Sequence, residues 1–298
     1  MAEIYDFYHI KKVTCEFSWR TDGTSTTSRK QDEFAQVREL IYKRYNMNLQ
    51  ELFMAQQTSA ITTFPTLPRK AVSIIILTWN ALEYTKKCIL SIQTHTNYPH
   101  EVIFVDNAST DGTVAYLRNL VREHPNYQLI ENHENKGFAA GNNQGVAVAS
   151  SEFVMLLNND VLVSDGWLEG LAESLERDEK IGMVGPITNS ISGRQMVRAV
   201  PYTDENGFHD FAQRLRKTYS GWLTPRYRIA GFAALMRKAL YGEVGGLDES
   251  FGTGNYEDDD LCLKIREKGY AIMVDEHVFI HHYRSQTFIE NKIDYRNN

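Results

Sequence analysis

Between residues 71 and 158 the chain alternates short apolar runs with stretches of helical spacing. Val72-Ser-Ile-Ile-Ile-Leu77, Val102-Ile-Phe-Val105, Tyr127-Gln-Leu-Ile130 and Phe153-Val-Met-Leu-Leu157 are rich in β-branched and aromatic residues and nearly continuous in apolar character. Runs of this kind predict strands buried on both faces. Residues 81–96, 111–123 and 137–149 lie between them and predict helices. Strand–helix alternation builds βαβ units and a mostly parallel sheet, an α/β fold.

The pattern is less regular further on. Residues 229–236 predict a strand of small residues, and residues 242–251 a tight loop. In residues 257–266, Leu261 and Ile265 stand four apart, which predicts a helix beginning at Glu257. Residues 277–282 predict a strand ending in two histidines. Residues 1–70 differ from the rest. Phe34, Val37, Leu40, Ile41 and Tyr45 recur at helical spacing, and Pro65 and Pro68 break a Thr-rich linker. The expected organisation is a small helical N-terminal extension with linker over residues 1–70, then one α/β domain over residues 71–298.

Composition narrows the class. With 42% hydrophobic and 23% charged residues the chain can bury a sizeable core. A net charge of −6 argues against a nucleic-acid partner. Cys15, Cys88 and Cys262 are far apart, with no CxxC, which suits reduced thiols in the cytoplasm. The apolar runs fall far short of the ~20 residues that span a bilayer, and the polar start is unlike a signal peptide. A soluble cytoplasmic protein without a transmembrane segment is expected. Peripheral contact with the inner face of the membrane is left open. The chain ends soon after its last histidines, and the expectation is a piece of a longer protein.

Candidate chemistry collects where the strands end. In sheets of this class, ligands bind beyond the carboxyl ends of the strands. Strand one ends in Thr78-Trp-Asn80, strand two in Asp106-Asn-Ala-Ser-Thr-Asp-Gly112, and strand four in Asn158-Asn-Asp160. Asp106 can accept hydrogen bonds from a base or ribose, or can cap a turn, for which Asp111 is the better placed. Lys136 and Gly137 open a helix whose N-terminus suits phosphate. Asp160 is the only carboxylate at its strand tip, a usual way to hold Mg²⁺ or Mn²⁺ beside a pyrophosphate. The acidic run of residues 257–260 falls in the first turn of a helix. One or two carboxylates there serve the dipole, and four exceed that need. His281 and His282 are adjacent on a strand and must point to opposite faces, so only one can face a given site.

Taken in order, "VSIIILTWN", "EVIFVDNASTDGT", "NKGFAAGNNQG", "MLLNNDV", "IAGFAALMRKALYGEVGGLDESF", "YEDDDLCLKIREKGY" and "VFIHH" resemble glycosyltransferase family 2, over about residues 71–285. That family consists of inverting enzymes of the GT-A fold, with a rhamnosyltransferase-like branch among its members. The resemblance implies residue roles. Thr78, Asn80, Asp106, Lys136, Gly137, Asn158 and Asn159 would surround the donor, Asp106 reading a uracil or thymine base. Asn158-Asn-Asp160 stands at the family's DxD position with its first Asp replaced, so Asp160 would carry most of the metal binding. His281 matches the late histidine that helps hold the metal or pyrophosphate, with His282 as the alternative. Asp258 would be the base, with Glu257 and Asp260 on the acceptor side and Asp259 facing solvent.

The implied reaction moves a sugar from a UDP- or dTDP-type donor to a hydroxyl of a saccharide, lipid-linked or protein acceptor, in polysaccharide or glycoconjugate synthesis. Mn²⁺ or Mg²⁺ is the implied cofactor. Residues 188–228 are the natural acceptor region. Seven Lys/Arg and three Asp/Glu fall between Ser190 and Ala230, with Trp222 among the aromatics that can stack on a sugar ring. Two other readings compete. A sugar nucleotidyltransferase would want a Gly-rich basic loop after strand one, where this chain has "TWNALEYTKK". A non-catalytic nucleotide-sugar-binding module would not need the Glu257-Asp258 pair.

Overall fold

The computed structural model describes residues 70–252 and 256–284. The expected helical extension and linker of residues 1–70 therefore fall, but for Lys70, outside the described residues, as do residues 285–298. Four strands carry the N-terminal half: β1 (Val72–Thr78), β2 (His100–Asn107), β3 (Tyr127–Asn132) and β4 (Phe153–Asn158). They pair in parallel in the order β3-β2-β1-β4, as the alternating pattern predicts. The connecting helices are α1 (Leu82–His95), α2 (Thr113–Glu123) and α3 (Gly137–Val148).

The second half extends the same sheet with both orientations. After β5 (Val161–Leu162) and α4 (Trp167–Glu176) come β6 (Ile181–Thr188), α5 (Glu205–Thr218), β7 (Leu223–Arg226), β8 (Ala233–Arg237), α6 (Lys238–Glu243), α7 (Glu257–Glu267) and β9 (Ala271–His282). β8 runs antiparallel between β4 and β6, and β6 pairs in parallel with β9. β5 and β7 are antiparallel to β9. The expected strand over residues 229–236 begins only at Ala233, and α6 takes the start of the expected loop over 242–251. β6 and α4 have no counterpart in the sequence reading.

Each face of the sheet has its own core. Ile74 and Ile76 point to the face covered by Ile89 and Ile92 of α1, Leu117 of α2 and Trp167 of α4. Ile75 points to the other face, with Val146 of α3, Phe208 of α5, and Leu261 and Ile265 of α7. The β-branched run is thus consumed in alternate directions, each fully buried side chain contributing about 1.5–3 kcal/mol.

Two glycines let α3 lie unusually close to β1. A Cβ at Gly141 would stand 2.3 Å from Leu77 Cδ1, and one at Gly145 2.5 Å from Ile75 Cγ2. The leucine methyl ends a flexible side chain, whereas the isoleucine methyl sits on a branched Cβ that cannot swing without leaving its rotamer. Gly145→Ala is expected to destabilise the protein by about 1–3 kcal/mol, despite the helix preference for alanine. A urea midpoint equal to wild type would refute this account of the contact.

β9 carries an irregularity that matters below. Pro186 pairs with Asp275, but Ile187 pairs with Phe279, so residues 276–278 are extra in β9 relative to β6. The fully buried Asp275 holds this bulge, accepting from Ser174 Oγ at 2.7 Å and from the His277 amide at 3.1 Å.

Candidate active site

Thr78 and Asp106 are register partners at the ends of β1 and β2, and both are fully buried. Asp106 Oδ2 accepts from Thr78 Oγ1 at 2.8 Å and from Ser109 Oγ at 2.6 Å, and its Oδ1 accepts from the Ser109 amide at 2.8 Å. Asn80 completes the lattice: its amide donates to Ser109 Oγ, and its Oδ1 accepts from the Thr110 amide, both at 2.7 Å. Asn80, Ala81 and Ala108 all have φ near +60°. Each such non-glycine residue costs roughly 1–3 kcal/mol and persists only where surrounding bonds over-determine it. The Asp106 carboxylate provides that determination. These bonds use it to shape the two loops at the ends of β1 and β2.

The third loop is tied in the same way. Asn135 Oδ1 accepts from the Gly137 amide at 2.9 Å and from Asn107 Nδ2 at 3.0 Å, where Gly137 has φ +85°. Lys136 stands exposed at the N-terminus of α3.

At the end of β4 the three residues part company. The Asn158 amide donates to Phe232 O at 2.9 Å. Asn159 turns into α1, donating from Nδ2 to Thr85 Oγ1 at 2.9 Å. Asp160 is 3% exposed, and its Oδ1 lies 3.2 Å from Nε2 of His282. The sequence reading preferred His281 here, whereas the ring that faces Asp160 is that of His282. The β5–β9 register sets His282 opposite Val161 and His281 opposite Leu162, so the two rings lie on opposite faces. The His281 ring turns to the Tyr202 hydroxyl, 2.7 Å from Nδ1. Burial, followed by the neighbouring His282, holds His281 down at about 4.

His282 is held on every side but one. Its Nδ1 lies 2.9 Å from Ser190 O, its amide donates to Asn189 Oδ1 at 2.8 Å, and its ring stacks on Phe232 at 5.1 Å. Nε2 is buried, makes no hydrogen bond, and faces Asp160. An imidazole nitrogen left bare beside a carboxylate is the donor set a divalent cation wants, so these residues fit Mn²⁺ or Mg²⁺. Among the described residues no cluster of three or more His, Cys, Asp or Glu could hold a metal, so an ion at this pair would need ligands beyond them.

The acidic run opens α7 as expected, after Tyr256 in the left-handed region at φ 73°. Its four members differ. Glu257 is the most buried, at 6% exposure. Asp258 Oδ2 accepts from the Gly231 amide and its Oδ1 from the Asp259 amide, both at 2.9 Å. Asp259, expected to face solvent, is instead paired with Arg228 Nε at 2.7 Å. Burial first, and then the Asp258 charge, raise its pKa, while Arg228 opposes them. Asp260 pairs with Lys264 one turn along, at 2.7 Å.

One short loop joins these pieces. Residues 229–232 give the Gly231 amide to Asp258, the Phe232 ring to His282 and the Phe232 carbonyl to Asn158. A Cβ on Gly231 would lie 3.3 Å from Phe138 of α3 and 3.4 Å from Asp258 Cβ. The structure therefore brings Asp258, Asp160, His282 and the start of α3 around one loop. Trp222 is not among them. It pairs through its carbonyl with the amide of Glu276, the first residue of the bulge and six residues from His282 along β9. Its place among the aromatics of the basic segment suggested it, but it stands just before β7, beside the middle of β9.

Comparison with known proteins places the chain. The family model described as Glycosyl transferase family 2 matches residues 73–243. The chain belongs to glycosyl transferase family 2. The match runs from β1 to α6, and the acidic run and late histidines lie beyond it. An uncharacterized protein of Sinorhizobium fredii is 25% identical over 93% of this chain, which spans only 32% of that relative's length. The N-acetylglucosaminyl-diphospho-decaprenol L-rhamnosyltransferase of Mycobacterium tuberculosis is 24% identical, over 70% of this chain and 75% of its own. Among solved structures, a mannosyltransferase from Pyrobaculum calidifontis in complex with GDP-Man and Mn²⁺ superposes with a TM-score of 0.53, at 21% identity, over 87% of this chain and 76% of that one. GalNAc-T7 with UDP, GalNAc and Mn²⁺ gives 0.57 at 14% identity, over 72% and 44%. These neighbours share the GT-A glycosyltransferase fold.

Sequence reasoning missed Gly231, Phe232, Asn189, Ser190 and Arg228. Only the "GF" of "IAGFAA" carried a signal, a glycine and an aromatic immediately before a strand.

Proposed function

We propose that this family 2 protein transfers a sugar from a nucleoside-diphosphate sugar to a hydroxyl acceptor with inversion. The observation that carries the reading is the shared loop. Gly231 fixes the Asp258 carboxylate while its neighbour Phe232 backs the ring of His282, which faces Asp160. A base and a site for the donor's diphosphate thus have one support.

In the proposed step, Asp258 accepts the proton of the acceptor hydroxyl as that oxygen attacks the anomeric carbon. The new C–O bond forms opposite the bond to the diphosphate, which breaks and takes its electron pair with the leaving group. No covalent enzyme intermediate is needed. The Gly231 and Asp259 amides orient the carboxylate, and Arg228 pairs with the neighbouring Asp259. Asp160 and His282 would hold a Mn²⁺ or Mg²⁺ ion, which when bound neutralises charge on the diphosphate. The solved neighbours with GDP-Man and Mn²⁺ and with UDP, GalNAc and Mn²⁺ support this choice of cofactor. Asp106, with Thr78 and Asn80, would shape the donor loops, and Lys136 and the α3 N-terminus would meet phosphate. The rhamnosyltransferase relative supports a lipid-diphosphate-linked sugar as acceptor. Among the described residues no helix is long and apolar enough to cross a membrane.

The test is incubation with Mn²⁺ and UDP-, GDP- and dTDP-sugars, with and without saccharide and lipid-diphosphate acceptors. Release of nucleoside diphosphate is expected. Pyrophosphate release would instead mean nucleotidyl chemistry, and neither product would mean a binding module.

A further inference from the structure

A cavity of about 490 Å³ opens on the face of β9 opposite His282, between α1, the start of α5 and the end of β9. Pockets that take small ligands commonly measure ~300–1,000 Å³. Its walls are rings. Phe208 is buried at the floor, Tyr202 packs edge-on against it at 5.9 Å, and Tyr283 stands edge-on to His281 at 4.7 Å. Its rim is charged. Lys87 Nζ lies 3.5 Å from the Glu205 carboxylate and 5.4 Å from the centre of the Tyr283 ring. Asp204 adds a second carboxylate, which caps α5 by accepting from the Gly207 amide at 2.8 Å.

This lining selects against most ligand classes. The lining carries one ammonium and two carboxylates, so a phosphate or uronic acid meets net repulsion. A purely apolar ligand would cover the Lys87–Glu205 pair and return no hydrogen bond. A neutral pyranose suits both parts. Its C–H face lies on tyrosine rings, whose bodies are apolar and whose tips are polar. Its hydroxyls can donate to Glu205 and accept from Lys87, in charge-assisted bonds.

We propose that this cavity binds one pyranose unit of a neutral saccharide, as a second sugar site separate from the loops around Asp160 and Asp258. The site lies back to back with the proposed reaction centre, because His281 and His282 are consecutive residues on opposite faces of one strand. The inference goes beyond the transfer reading and does not depend on it.

Saturation-transfer NMR on the full chain tests it. The probes are the methyl α-glycosides of glucose, galactose, mannose, rhamnose and N-acetylglucosamine, with methyl glucuronide as the anionic probe. At least one neutral glycoside should bind. Its Kd should rise about ten-fold or more in both Tyr283→Ala and Glu205→Gln, and stay unchanged in Asp160→Ala and Asp258→Asn. Glu205 is exposed, so its glutamine variant remains informative if the tyrosine variant does not fold. The proposal is overturned if no neutral glycoside binds, if the glucuronide binds equally well, or if binding is lost in Asp258→Asn but kept in Glu205→Gln. Failure of the transfer reading would show separately, as absent nucleoside diphosphate release.

Discussion

Asp258→Asn is expected to lower sugar transfer by about 10²- to 10⁴-fold, the usual contribution of a positioned general base. That corresponds to about 3–5 kcal/mol of barrier. The substitution is nearly isosteric, and the amide oxygen can still accept from Gly231, so the loop that also supports Phe232 should stay in place. Donor binding measured by calorimetry with Mn²⁺ should therefore change by less than about two-fold. The loss must appear in turnover rather than in KM for the donor, because the proton acceptor acts only as the acceptor oxygen attacks. Asp259→Asn is the control within the same turn. Its carboxylate is already committed to Arg228, and its removal should cost far less. Full turnover by Asp258→Asn, or an equal loss in both variants, would take the base assignment away from Asp258.

Asp160→Ala and His282→Ala should each weaken Mn²⁺-dependent donor binding, by about ten-fold or more, while leaving metal-free nucleotide binding near wild type. Each variant removes one of the two facing side chains proposed to hold the ion, and loss of one such group weakens the site. His281→Asn is the discriminating comparison. Its ring lies on the other face of β9 against Tyr202, so the Mn²⁺ titration should match wild type. A loss in His281→Asn with none in His282→Ala would restore the reading made from sequence. An unchanged titration in Asp160→Ala would remove that carboxylate from the cation site.

Much of the N-terminal, parallel half of the sheet was legible because its signals are local. Val72-Ser-Ile-Ile-Ile-Leu77 is apolar at successive positions, and only a strand covered on both faces uses such a run. The polar ends of β1, β2 and β4 follow directly from where those runs stop. The acidic run also began its helix where Leu261 and Ile265 indicated. The roles within these segments were less legible. The resemblance implies that Asp106 reads a base, and only the structure shows that its oxygens also accept from Thr78 and Ser109, 28 and 3 positions away. A sequence shows that a carboxylate is present but not which donors fold back onto it.

The sequence by itself determined the parallel half of the sheet, the helix at Glu257 and the rule that His281 and His282 diverge. It also carried the ordered motifs of glycosyl transferase family 2. Only the tertiary structure decided which histidine meets Asp160, that Asp259 belongs to Arg228, and that Trp222 lies beside Glu276 of β9. Strand alternation has a period of two, so the facing of a side chain depends on the count of residues from a fixed point. The bulge at residues 276–278 adds three residues to that count, an odd number, and exchanges the faces. The bulge is held by Asp275 through Ser174, 101 positions earlier in the chain. No local pattern near the histidines encodes that contact.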